Sequence, residues 1–306
     1  MRILDAEQTR AALGYVAIAD AVAEVLERRA AGKTTAPPRG VMELPEDATL
    51  LLMPATDGDI AVTKLVTVHP RNGSHGLPTI QGEMVILEAA TGRRLALVDG
   101  GTVSARRTAA VSLLAARELA PRRDAPMLVI GAGTQARVHI EAFREGLGVS
   151  DVRIHSRTRS RAEELAEHAR SLGMTARVVD DPAEGLDEVR LVVAATTSTE
   201  PVVPVGLADD TFVAAVGAYR SHMAELPGAL LARSPVVVDT LEGAQEEAGD
   251  LIRAAGDGDF DWSRAMTLER VLQGERPRTG GVIVFKSVGQ SLWDLAAGRV
   301  LAATVE

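Results

Sequence analysis

Three stretches of this sequence combine residue types and spacings that could do chemistry. In Ile60-Ala-Val-Thr-Lys64-Leu-Val-Thr-Val68 a period of two places Ile60, Val62, Val66 and Val68 on one strand face, with Lys64 in its middle. An ammonium there is costly unless paired, and burial lowers its pKa. A lysine with its stem along the surface, or one paired to a structural carboxylate, has the same spacing. Ser104-Ala-Arg106-Arg107-Thr108 opens a helix. Cations in a first turn are disfavoured by about 0.3–1 kcal/mol each at exposed sites, so two guanidiniums suggest a bound anion there; solvated surface arginines are the alternative. Finally, Pro126-Met-Leu-Val-Ile-Gly131-Ala-Gly-Thr-Gln-Ala136-Arg runs from an apolar strand through a tight turn into a helix. Gly131 permits the turn, Gly133 lets a pyrophosphate approach the backbone, and Ala136 lets the helix pack on the strand.

That third stretch predicts dinucleotide binding, with Gly131, Ala132, Gly133, Thr134, Gln135 and Ala136 around the phosphates. An acidic residue for the ribose 2′-hydroxyl is expected about 20 residues further on. Ser156-Arg157-Thr158 stands there instead. A guanidinium flanked by hydroxyls suits a 2′-phosphate, so NADPH is preferred and NADH is possible; Arg157 as a plain surface residue is the alternative. The six histidines have no ligand spacing, so no metal is expected. Without a Gly-x-Ser-x-Gly elbow or a Walker lysine, acyl and phosphoryl transfer have no support.

The elements that must position these groups fall in two blocks. A helix is expected over 13–31, then an extended segment at Pro37-Pro38 carrying Arg39, then strands over 49–53, 60–68, 83–89 and 94–98 separated by Asp57-Gly58, Asn72-Gly73 and Thr91-Gly92 turns. A long helix over 103–119 leads to the glycine turn. Beyond it strands near 152–155, 176–179, 191–195, 212–216 and 236–239 alternate with helices, which means a parallel sheet. A last strand over 280–285 precedes a helix over 288–303. The expected fold is α/β: a Rossmann doubly wound parallel sheet over 121–287, plus an α+β substrate-binding and dimerisation domain over 1–120 to which 288–306 returns.

Composition narrows the rest. The chain has 306 residues, 46% of them apolar, only 3% aromatic, and no cysteine. The core must therefore be Val, Leu, Ile and Ala, and disulfides and thiolate catalysis are excluded. A net charge of −9 repels nucleic acid and anionic membranes, so an anionic ligand needs a local basic cluster. An amino terminus without an apolar leader, and no ~20-residue apolar run, predict a cytoplasmic protein.

The sequence resembles the ornithine cyclodeaminase/mu-crystallin family. The resemblance rests on Thr63-Lys-Leu-Val-Thr67, Val98-Asp-Gly-Gly-Thr-Val-Ser-Ala-Arg-Arg-Thr-Ala-Ala-Val111, Gly131-Ala-Gly-Thr-Gln-Ala136, Ala215-Val-Gly-Ala218 and Val284-Phe-Lys-Ser-Val-Gly289, in order along nearly the whole chain. It implies a homodimer that uses a nicotinamide cofactor on amino or imino acids. It also implies that Arg39, Lys64 and Arg107 hold the substrate carboxylate and its nitrogen-bearing end. Thr79 and Arg107 lie near the cofactor by the same resemblance, and Thr134, Gln135, Ser156, Arg157, Thr158, Thr196, Val216, Gly217 and Ser287 line it. The family's cyclodeaminases carry an aspartate after the Val-Gly strand end, where this chain reads Val216-Gly-Ala-Tyr219. A phenol cannot exchange protons as a carboxylate does near neutral pH, and Tyr219 is expected to wall the substrate pocket. The resemblance then points to a ketimine reductase reducing Δ1-pyrroline-2-carboxylate, and Δ1-piperideine-2-carboxylate with it, to L-proline and L-pipecolate, with Lys64 assisting protonation of the ring nitrogen. An alanine-type amino-acid dehydrogenase, an ornithine cyclodeaminase and a non-catalytic NADPH-dependent ligand-binding protein stay open as alternatives.

Overall fold

Alternation of apolar and polar residues drives the first block into a sheet. The computed structural model describes residues 1–277 and 280–305. In chain order come β1 (Arg2–Leu4), α1 (Ala6–Ala12), α2 (Tyr15–Ala30), β2 (Gly40–Leu44), β3 (Ala48–Thr56), β4 (Ile60–Val68), β5 (Ile80–Glu88), β6 (Arg94–Asp99) and α3 (Gly100–Leu119). The sheet order is β1-β6-β5-β4-β3-β2, an antiparallel meander with β1 added parallel at one edge. β1, α1 and β2 were not expected: three residues are too few to show a period, and Val41 and Met42 of β2 are exposed.

α3 starts at Gly100, earlier than the residue 103 expected, because the Asp99 carboxylate accepts the Thr102 N–H at 2.6 Å and caps the first turn. Glycine's poor helix propensity had hidden that turn. The shift puts Arg106 and Arg107 in the second turn, where the dipole has faded, so the macrodipole no longer accounts for them.

The second block is β7 (Met127–Ile130), α4 (Thr134–Leu147), β8 (Asp151–His155), α5 (Arg159–Ser171), β9 (Thr175–Val178), β10 (Leu191–Ala194), β11 (Phe212–Ala215), α6 (Gly228–Arg233), β12 (Val236–Val238), α7 (Leu241–Glu247), α8 (Gly249–Asp257), β13 (Ala265–Thr267), α9 (Leu268–Leu272) and β14 (Ile283–Lys286), followed by α10 (Ser291–Val305). Its sheet runs β13-β12-β14-β11-β10-β7-β8-β9 with every pairing parallel. β7, β10, β11 and β12 are unbroken apolar runs buried along their whole length, as a sheet covered on both faces requires. Strand order reverses between β7 and β10, the topological switch point of a doubly wound fold.

The chain divides into two compact units, Met1–Val111 with Gln290–Glu306, and Ser112–Gly289. The division falls inside α3 because its later residues serve the second unit. Leu113 fills the space beside Gly146 of α4, where an added Cβ would come within 2.4 Å of it, and Ser112 bonds His139 of α4 at 2.9 Å. α10 belongs to the first unit, packing on α2, β3 and β4.

His139 is fully buried. Its Nδ1–H donates to the Gln135 carbonyl at 2.7 Å, which leaves Nε2 to accept from the Ser112 hydroxyl. Burial pushes its pKa down to about 4. Between an unfolded value of about 6.5 and that of the native ring, the unfolded chain binds a proton that the native one refuses, so stability falls as pH drops through this window. In His139→Gln, the slope of unfolding free energy against pH near pH 5, from denaturant titrations, is expected to be shallower than wild type by about one proton.

Candidate active site

In the first unit the sheet register assembles a row of buried residues. Met53 of β3 pairs Lys64 of β4, Lys64 pairs Met84 of β5, and Met84 pairs Val98 of β6. Gly40 pairs Leu52, so Arg39 extends this row beside Met53. Lys64 is 2% exposed in the middle of it, so the surface-lysine reading of its strand fails. What compensates the charge comes from the far end of the sequence. The Lys64 Nζ donates to Asp294 Oδ1 of α10 at 2.8 Å, and Asp294 is itself fully buried. Arg107 Nε lies 3.4 Å from the same oxygen. Desolvation lowers the Lys64 pKa to about 8; Asp294 opposes that shift, and the charges of Arg107 and Arg39 add to it. Two cations, Lys64 and Arg107, thus share one carboxylate, with the charge of Arg39 near enough to be felt by the lysine: an acid near neutral pH in a cationic setting that suits an anionic ligand.

The arginine pair divides. Successive helical residues point about 100° apart. Arg106 donates to the Leu13 carbonyl at 2.6 Å and the Tyr15 hydroxyl at 2.9 Å, and its guanidinium lies 3.7 Å over the Tyr15 ring. It clamps α3 to α2, while Arg107 turns to Asp294. Thr79 is not brought to this cluster. It is exposed just before β5, five residues from the partner of Lys64, roughly 16 Å along the strand.

The second unit gathers the remaining candidates by topology. In a parallel sheet all carboxyl ends lie along one edge, and Ile130, His155, Ala194, Ala215 and Lys286 are in register across it. Gly131 to Ala136 follow β7, Ser156 to Thr158 follow β8, Thr196 follows β10, Val216, Gly217 and Tyr219 follow β11, and Ser287 follows β14. Gly131 has φ of +116°, and a Cβ on it would lie 2.4 Å from the Ala195 carbonyl oxygen, so only glycine lets these two loops meet. Gly133 caps α4 with extended backbone and no side-chain cap, and a Cβ there would meet nothing within 4 Å. An open space in front of uncapped helix N–H groups fits a pyrophosphate. Arg157 is exposed and makes no hydrogen bond or ion pair among the described residues, whereas its neighbour Arg159 is held by Asp180 and Glu163. Tyr219 is 37% exposed on the same edge.

Several expected lining groups turn out to be bound by a carboxylate that sequence reasoning missed. Glu225 Oε1 accepts from the Thr196 N–H at 2.6 Å and its hydroxyl at 2.9 Å, and Oε2 accepts from Gly217 N at 2.8 Å and Ala218 N at 3.0 Å. Burial raises the Glu225 pKa, with the Lys286 ammonium and the Thr196 donors opposing. Lys286 in turn reaches Asp250 at 2.7 Å and the Ala218 carbonyl at 2.6 Å. The Ser287 hydroxyl donates to Asp239, which also takes Val288 and Gly289 N–H groups. Charges inside apolar runs were the available signal: Lys286 ends Val-Ile-Val-Phe-Lys, and Asp294 interrupts Leu292-Trp-Asp-Leu-Ala-Ala297.

With this geometry in place, the likeness to known proteins is specific. The model of the ornithine cyclodeaminase/mu-crystallin family matches residues 2–306. The Delta(1)-pyrroline-2-carboxylate reductase 1 of Burkholderia multivorans is 39% identical over 302 residues, covering 97% of this chain and 94% of that protein. The structure is similar to that of Thermococcus litoralis Delta(1)-pyrroline-2-carboxylate reductase in complex with NADH and L-proline, with a TM-score of 0.91 at 27% identity over 99% of this chain and 97% of that one. It is also similar to an archaeal alanine dehydrogenase dimer with bound NAD, with a TM-score of 0.89 at 28% identity over 99% and 95% of the two chains.

Because a methyl at position 133 points into open space, Gly133→Ala is expected to keep the wild-type thermal midpoint while weakening dinucleotide affinity at least tenfold in a fluorescence titration. Gly131→Ala, with its carbonyl clash and positive φ, is expected to lower the thermal midpoint as well.

Proposed function

The chain belongs to the ornithine cyclodeaminase/mu-crystallin family, and from that premise we propose that it is a pyridine-nucleotide-dependent reductase of cyclic ketimine acids, Δ1-pyrroline-2-carboxylate and the six-membered Δ1-piperideine-2-carboxylate, giving L-proline and L-pipecolate. The observation that carries the reading is the buried Lys64 ammonium on Asp294 beside Arg107. Reducing a C=N bond needs one proton for nitrogen, and an ammonium of pKa about 8 gives one up more readily than an ordinary lysine does. Arg107 and Arg39 hold the substrate carboxylate, Arg107 with a planar fork that fits two oxygens. The reduced nicotinamide, when bound, supplies the hydride to the imine carbon. As the C=N π pair moves onto nitrogen, that nitrogen takes a proton from Lys64, which is recharged from solvent.

The absence of a carboxylate between Gly217 and Arg220 supports reduction over cyclodeamination, because neither Ala218 nor Tyr219 can pair with a distal ammonium. NADPH is the proposed donor, with Arg157 on its 2′-phosphate and Ser156 and Thr158 beside it. We place the enzyme in the cytoplasm; no described helix is long and apolar enough to cross a membrane. We also propose a homodimer. The sheet face turned away from Lys64 exposes Ile3 and Leu65 in a cleft of about 840 Å³ that Val85 and Leu97 also line, with Asp5, Glu83 and Asp99 on its wall, a mostly apolar surface suited to a second copy.

Purified chain is expected to oxidise NADPH with Δ1-pyrroline-2-carboxylate, and kcat/KM should fall on the alkaline side with a midpoint near pH 8 as Lys64 loses its proton. Turnover only with pyruvate and ammonia would overturn the reading in favour of an open-chain amino-acid dehydrogenase. Arg157→Ala is expected to raise KM for NADPH at least tenfold, about 1.4 kcal/mol or more, and to leave that for NADH within about twofold.

A further inference from the structure

The proton donor of the reading above does not act alone. We propose that Asp294 is the positioning residue of the reaction, its carboxylate both aiming the Lys64 ammonium and keeping it protonated while Arg107 and Arg39 press on it with like charge. The role rests on Lys64 being the proton donor.

The geometry behind this is unusually constrained. Asp294 is fully buried, its Oδ1 takes the Lys64 Nζ at 2.8 Å and faces Arg107 Nε at 3.4 Å, and its Oδ2 has no hydrogen-bond partner. Asp294 stands in the first turn of α10, where a carboxylate suits the helix dipole, but that preference is met as well at an exposed position, whereas the residues flanking it in Leu292-Trp-Asp-Leu-Ala-Ala297 are all buried and apolar. The helix is moreover brought close on purpose. A Cβ at Gly298, one turn on, would stand 2.6 Å from Val62, two residues before Lys64 on the same face of β4. A small residue there lets the helix lie against the strand at the place where the pair forms.

The charged groups acting on Lys64 are Asp294 from α10, Arg107 from α3 and Arg39 from the segment before β2. Asp294 is the only one of the three that favours the ammonium. Without it, burial and two guanidiniums would drive the lysine neutral, and a neutral amine has no proton to give. When a substrate carboxylate settles on the arginines, the like-charge pressure on Lys64 eases, while Asp294 keeps the ammonium in place through the exchange. After the proton has moved to the imine nitrogen, the amine is left beside an ionised carboxylate, which favours its reprotonation from water and readies the next cycle.

Asp294→Asn keeps size and shape and removes the charge. It is expected to move the alkaline midpoint of kcat/KM down by about one pH unit or more, an opposite charge at this range being worth about 1–3 units. The variant would then be about tenfold slower at pH 9 and near wild type at pH 6, with no rise in the KM for the imine acid. Asp294→Glu, with the charge restored on a longer arm, should return the midpoint to the wild-type value with a lowered kcat. A unit shift confined to the alkaline limb supports the proposal. An unmoved limb, or an equal loss at every pH with a raised KM, overturns it in favour of a purely structural aspartate. Should the asparagine variant not fold, the glutamate variant decides by the same limb: a wild-type midpoint with lowered kcat supports, a displaced midpoint or an unchanged kcat overturns. Lys64→Met separates the two levels. If it abolishes turnover while Asp294→Asn leaves the limb in place, only the aspartate's role is lost; if the alkaline limb survives in Lys64→Met, the functional reading goes and the aspartate's role with it.

Discussion

A single buried ion pair, Lys64 with Asp294, sets the constraint that the first unit is built around. A lysine ammonium in the middle of an Ile/Val sheet face cannot be satisfied by the sheet, whose backbone groups are already used in the ladder. Its counter-ion must come from an element laid across that face, and the chain supplies it 230 residues later. This is a physical reason for the discontinuous unit: the last helix returns to cover β3 and β4 because the face contains a charge as well as apolar side chains. Arg28 and Arg299 fasten the same helix pair to the Asp57 and Asp59 turn between β3 and β4, so the covering helices are held by charge at their rim and by charge at the centre.

The second unit solves a different problem with the same chemistry. Loops at the carboxyl edge of a parallel sheet have backbone N–H groups with no ladder partner, and a cofactor site cannot be lined by loops that wander. Glu225 gathers four donors from the segments after β10 and β11, Asp250 takes the N–H groups of Glu225 and Leu226, and Lys286 ties Asp250 to the Ala218 carbonyl. Removing any one partner would leave a buried charge without compensation, so the three act as a unit. These bonds tie the edge loops together, and loops tied in advance would lower the ordering cost of the proposed binding.

Much of this was legible in the residues. The alternation over 60–68 located β4 and marked Lys64 as anomalous, the glycine turn located β7 and α4, and strands alternating with helices gave the parallel sheet, because each element shows its own pattern locally in the sequence. Short elements were missed for want of length: β1 and β13 have three residues each, and no period can be read from three. The partners were missed for a different reason. Asp294, Glu225 and Asp250 act on residues 230, 29 and 24 positions away, and pairing between buried charges leaves no spacing in a linear chain. The arginine pair shows the limit from the other side: two adjacent guanidiniums looked like one anion site, and the 100° step between them sent Arg106 to a tyrosine and Arg107 to a carboxylate.

Stability does not explain why such a pair is kept. Holding Lys64 at a pKa of about 8 instead of 10.5 disfavours its charged form by on the order of 3 kcal/mol. Replacing a buried ion pair with packed apolar residues is often neutral or stabilising. A methionine at position 64, with a leucine at position 294, would suit this face at least as well, since Met53 and Met84 already flank it. The guanidiniums cannot take over the lysine's part either, because arginine stays protonated across the accessible pH range. In the proposed reaction the site gains from tolerating the burial a division between two cations that only bind and one that can also exchange a proton, a gain with meaning for chemistry that moves a proton to or from the substrate.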